Sequence, residues 1–144
     1  NECVSNGSYL DQEETDKSRI EKFIESADSA LASVEILKKS AGKNPMIWNS
    51  IYKLHYDALR ELVDAFLRFD KVKVINHQCL FAYLCIKHPE LEFDWNFFEK
   101  IRTKRNGINY YGVLVSEKDY KEVELQLKLY IDKLKEEIKK KLKE

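Results

Sequence analysis

Between Met46 and Phe69 the chain carries two apolar faces and very little polar surface. Ile47, Ile51, Leu54, Ala58, Leu62, Ala65 and Phe69 repeat at helical spacing on one face, and Tyr52, Tyr56, Leu59, Val63 and Leu67 on a second. Only a strip of Asn49, Lys53, Asp57, Arg60, Asp64 and Arg68 stays polar. A helix of this kind is stable in water only when other elements cover it on most sides. The spacing therefore predicts a central helix inside an all-α bundle. Asn44 and Pro45 provide its start, an N-cap followed by proline at the first helical position.

The flanking sequence supplies the covers. Ser18 and Glu21 have the spacing of a capping box, after which Ile20, Phe23, Ile24, Ala27, Leu31 and Val34 recur to about Ser40. A short helix is expected from about His77 to Ile86, ended by "KHPEL". Asp94 is read as the cap of a fourth helix, in which Phe98, Ile101, Arg105, Ile108 and Gly112 share a face. Ser116 and Asp119 repeat the capping-box spacing before a last helix carrying Tyr120, Val123, Leu127, Tyr130, Leu134 and Ile138. Its lysine-rich end complements the helix dipole and requires no ligand. With four Gly and two Pro in 144 residues, the chain lacks the turns of a β-sandwich. The expected architecture is an all-α, up-and-down bundle of four to five helices over residues 16–144, preceded by a mobile polar lead-in over residues 1–15.

Charge and composition narrow the functional classes. Basic and acidic side chains number 25 each, so any nucleic-acid role must rest on a local patch rather than a global excess. No apolar run approaches the ~18 residues of a membrane span, and no membrane partner is expected. The first residues lack the basic and apolar regions of a secretory signal, and without an initiator Met the chain reads as trimmed or as a fragment. Cys3, Cys79 and Cys85 are odd in number and have no C-x-x-C spacing; they are expected to stay reduced, as in the cytoplasm. His55 is read as a core or boundary residue, His77 as bonded to backbone near a helix start, and His88 as solvated. Neither an HExxH pattern nor a Cys/His cluster is present, and there is no glycine-rich phosphate loop or G-x-S-x-G elbow. No metal and no cofactor are expected.

One stretch is chemically distinctive: "KIRTKRNGINYYGVL", residues 100–114. Arg105 falls on the apolar stripe of its helix, so it must be paired internally or face a groove. Around it lie Arg102, Asn106, Asn109, Tyr110 and Tyr111. Guanidinium forks bind phosphate and tyrosines stack on bases, which makes this a candidate RNA- or nucleotide-binding strip. The alternative is an internal salt bridge from Arg105 to Asp57, Glu61 or Asp64 on the central helix.

The order of these features resembles a known family. "IYKLHYDALRELVDAFLRFDKVKVINHQCLFAYL" is similar to the second and third helices of HEPN domains, and "FFEKIRTKRNGINYYG" resembles their fourth. The likeness spans roughly residues 16 to 140. It implies a four- or five-helix bundle and a homodimer. In many members it also implies a metal-independent ribonuclease, a toxin paired with a small nucleotidyltransferase antitoxin. The family's active motif is an arginine, a few variable residues and a histidine. Arg105 and Asn106 match its opening, but the histidine position falls on Tyr110, and the tyrosine that antitoxins modify falls at Gly112. Tyrosine, with a pKa of ~10, is a poor base for a 2′-OH proton. The resemblance thus implies a dimeric module that binds RNA, nucleotide or a partner without catalysis. Two alternatives remain: a ribonuclease toxin using Arg105 and Tyr110, and a purely structural protein–protein module.

Overall fold

The computed structural model, which describes residues 3, 9–11 and 15–144, is an all-α bundle. Helix α1 spans Lys17–Ala41, α2 Pro45–Leu67, α3 His77–Lys87, α4 Trp95–Tyr111 and α5 Glu117–Leu142. Helix α2 lies at the centre and packs against all four others. Thirteen of its 23 residues are buried, which is why it needs cover on nearly every side. The core around it is aromatic on the α3/α4 side, where Phe81 stacks on Phe98 at 4.5 Å and Tyr130 of α5 meets Phe93 edge-on.

Local chemistry sets the helix ends. The side chains of Asn44, Asn76 and Asp94 accept backbone N–H groups at the starts of α2, α3 and α4, and Ser116 with Asp119 forms a complete capping box on α5. Helix α4 ends at Gly112, whose φ of +65° favours glycine, and the N–H groups of Gly112 and Val113 both reach the Gly107 carbonyl. At α1 the expected box of Ser18 and Glu21 is replaced by Asp16, whose carboxylate accepts the Arg19 N–H at 3.1 Å. The helix gains a residue before Ser18 because Asp16 is itself a good cap. The central helix also stops two residues short of Phe69, in a 3-10 turn over Arg68–Asp70.

Three further features differ from the helical pattern. Strand β1, Tyr9–Asp11, pairs antiparallel with β2, Val72–Val74, in the register Leu10 to Lys73. Val72 and Val74 are buried with Lys73 between them, the alternation of a half-buried strand. Cys3 is disulfide-bonded to Cys79, so two cysteines expected to be reduced are paired. Spacing could not show this, because the two residues meet only after the fold brings them together. Most of the lead-in expected over residues 1–15 lies outside the described residues. Asn49, assigned to the polar strip, is buried, and its Oδ1 accepts the Val115 N–H at 2.6 Å, which anchors the approach to α5.

Candidate functional site

The junction of α2, α3 and α4 gathers arginines. Arg105 of α4 places Nη2 3.4 Å from Asp57 Oδ1 on α2, with its guanidinium carbon 5.9 Å from the centre of the Tyr56 ring. Arg102, one turn earlier, donates through Nε and Nη2 to both carboxylate oxygens of Glu99, at 2.9 and 3.0 Å. Arg60 on α2 reaches Glu61 at 3.7 Å. The chain has 20 Lys and only five Arg, and Arg60, Arg102 and Arg105 all act electrostatically on the same tyrosine, Tyr56. A fork geometry, not merely positive charge, has therefore been concentrated here.

Tyr56 is buried, and its hydroxyl shares a hydrogen bond of 3.2 Å with Nδ1 of His77, the first residue of α3. Burial pushes the Tyr56 phenol upward, against the pull of Arg60, Arg102 and Arg105, so it stays protonated. Desolvation pushes His77 below its ordinary value, and Arg60 and Arg105 push the same way; Asp57 and Asp64 oppose them. His77 is thus a neutral imidazole at pH 7. The Nε atoms of Arg60 and Arg105, and Oε2 of Glu61, are buried and have no hydrogen-bond partner among the described residues. Asp57, Glu61, Asp64 and Glu99 supply counter-charge, so the arginines are balanced but incompletely bonded.

The residues expected from sequence separate into two groups. Arg105 meets α2 whereas Arg102 is bonded within α4; both sit partly buried, with half-buried Asn106 next along the helix from Arg105. Asn109, Tyr110 and Tyr111 occupy the exposed last turn of α4, and the two tyrosines are 76% and 82% exposed. No hydrogen bond or ring contact joins Tyr110 to either arginine among the described residues. Tyr56, Arg60 and His77 were not among the expected site residues. Tyr56 and Arg60 are four apart on one helix face, a weak signal, whereas the place of His77 depends on how α3 docks.

The other two histidines are structural. His55 is 1% exposed, and its Nδ1 lies 2.8 Å from the Tyr120 hydroxyl. Burial pushes it down to about 4. Beside it, burial raises Glu124, but Lys38, Lys121 and Lys128 outweigh that and hold the carboxylate at about 2. His88 is not solvated as expected: it lies 2.6 Å from Asp70 and 3.1 Å from Glu90, against the Phe66 ring. Asp70, the last residue of the 3-10 turn, supplies the carboxylate that meets the imidazole.

Among the described residues no group of His, Cys, Asp and Glu could hold a metal ion, and no helix is long and apolar enough to cross a membrane. No protein-family model, curated protein or solved structure matches the chain.

Proposed function

We propose that the chain is a HEPN-like module that binds RNA or nucleotide phosphate at Arg60, Arg102 and Arg105. The observation that carries this reading is the pair of buried guanidinium Nε donors, on Arg60 and Arg105, left without an acceptor among the described residues, beside the Tyr56–His77 pair. Orphaned buried donors cost stability unless something accepts from them, and a phosphate oxygen is a fitting acceptor. The exposed Tyr110 and Tyr111 then offer stacking surface one to two turns away. The reading includes a homodimer, in which a second copy completes the groove, and a nucleotidyltransferase as the partner protein.

Fluorescence anisotropy with a labelled single-stranded RNA tests the site. Arg102→Ala and Arg105→Ala should each weaken binding. Each should also flatten the slope of log affinity against log salt by roughly 0.7 for every phosphate no longer neutralised. Unchanged affinity in both variants would leave the arginines as ion-pair partners and favour the structural alternative. Light scattering at tens of micromolar tests the dimer.

One observation favours the ribonuclease alternative, through a residue other than Tyr110. His77 is a neutral imidazole close to two arginines, suited to taking a proton from a 2′-OH. Metal-independent RNA cleavage that is abolished in His77→Ala and kept in Tyr110→Phe would establish it. The Cys3–Cys79 bond argues against the cytoplasmic location suggested by the cysteine count, because disulfides persist in oxidising compartments.

A further inference from the structure

A groove between α1 and α2 carries the arginine cluster on to a helix outside the proposed site. Arg19, Lys22, Phe23 and Ser26 of α1 line one wall, at the three- and four-residue spacing of a single face. Arg60 and Glu61 of α2 line the other. The groove encloses about 290 Å³, at the bottom of the range of about 300–1,000 Å³ that small organic ligands occupy. It is sized for a phosphate group rather than for a whole nucleotide.

Three observations select an anion there. First, three cations face one carboxylate. The neighbouring carboxylates of α2 are engaged elsewhere, Asp57 by Arg105 and Asp64 by Arg68. Second, the cations are uncommitted. Neither Arg19 nor Lys22 has an ion-pair partner among the described residues. Arg60 lies 3.7 Å from Glu61, too far for a hydrogen bond, and its Nε is buried without a partner among those residues. Third, the Arg19 guanidinium is placed rather than loose. Its carbon lies 5.7 Å from the centre of the Phe23 ring, and that of Arg68 lies 5.6 Å from the same centre. Phe23 thus serves two cations already, so the groove suits a phosphate and not a stacked base.

Arg60 joins this groove to the first site. It acts electrostatically on both Tyr56 and His77, as Arg105 does, and it also forms part of the α2 wall here. We propose, resting on the RNA or nucleotide reading above, that the α1/α2 groove is a second phosphate subsite. The ligand is then an oligonucleotide strand, not a single nucleotide, and its backbone crosses α2 from Arg105 to Arg19 and Lys22. The exposed Ser26 hydroxyl, on the same face of α1, is a further donor to that backbone.

Fluorescence anisotropy with labelled oligouridylate, titrated over a range of salt, tests the path. The double variant Arg19→Ala/Lys22→Ala should flatten the slope of log affinity against log salt by roughly 0.7, for the one phosphate released. Arg105→Ala should do the same independently, and the triple variant should lose roughly 1.4. Lys118→Ala, an exposed lysine at the start of α5, should leave the slope unchanged. Inorganic pyrophosphate at matched ionic strength should displace the strand only at roughly a hundredfold higher concentration than unlabelled oligouridylate, because a strand engages both subsites at once. Circular dichroism melting identifies a variant that fails to fold; Arg19→Gln/Lys22→Gln, which keeps most of both side-chain stems, then takes its place. A wild-type slope in the folded double variant, with a flattened one in Arg105→Ala, would overturn this inference and leave the first site standing. An unchanged slope in Arg105→Ala would remove the first site, and the crossing with it. Equal displacement by pyrophosphate would make the groove a free-phosphate site and overturn the strand, as would a slope flattened equally by Lys118→Ala.

Discussion

Arg105 is joined to Asp57 by one long contact of 3.4 Å, while its own Nε is buried and unbonded among the described residues. The side chains keep 19% and 30% of their exposure, so the pair is neither a free surface bridge nor a sealed internal one. Its stabilising contribution should lie near the surface range, and Arg105→Ala should cost about 1 kcal/mol by thermal or chemical denaturation. A destabilisation of ~3–5 kcal/mol would mark a charge stranded in the core.

Asp57→Asn separates the two roles of that ion pair. It removes the carboxylate that competes with phosphate for Arg105. RNA affinity should therefore rise several-fold, with stability little changed. A fall in affinity would mean that Asp57 orients Arg105 rather than competing for it.

His55 makes folding sensitive to mild acid. Its folded value of about 4 lies below the usual 6.5, so between those limits the unfolded chain binds the proton and the folded chain does not. Stability should be flat above pH ~6.5 and fall towards pH ~4, by up to ~3 kcal/mol. The Glu124 cluster opposes acid too, but its contribution disappears only below the ordinary carboxylate value of 4.5, as pH falls towards about 2. Urea melts at about pH 7, 5.5 and 4.5 check the window, and His55→Gln should flatten it.

Asn49 should be costly to truncate. Asn49→Ala leaves the buried N–H of Val115 without its acceptor. Destabilisation of ~1–3 kcal/mol is expected, with faster hydrogen exchange at Val115. A change below ~0.5 kcal/mol would show that water replaces the amide.

The Cys3–Cys79 bond joins residues 76 apart. Loop-closure arguments give such a link up to ~4 kcal/mol, and Cys3→Ser should destabilise by ~2–4 kcal/mol. Denatured, unreduced protein should titrate a single thiol, that of Cys85, which burial pushes up to about 11 in the folded state and so protects from alkylation. Three reactive thiols without reductant would refute the pairing.

The helices could be read from the sequence because each is specified locally. Asn44–Pro45, Asp94 and the Ser116–Asp119 box mark starts that the structure keeps, and the apolar spacing between them gives the faces. Asp57 was among three carboxylates expected opposite Arg105, since both residues lie on predictable helix faces. The rest needed tertiary information. Tyr56 meets His77 only because α3 docks on α2. β1 meets β2 across about 60 residues of sequence, and Asn49 looks polar until the segment carrying Val115 is seen above it. Asp16 and Ser18 are both good caps two residues apart, a choice that propensity alone does not make.

Because α2 touches each of the other four helices, no helix can leave the bundle without uncovering part of it. Its amides can exchange only when the whole domain opens, whereas the ends of α5 can fray alone. The same arrangement gives folding a natural nucleus. Once α1 and α2, adjacent in sequence and joined by three residues, have zipped together, every later helix adds to a surface already in place.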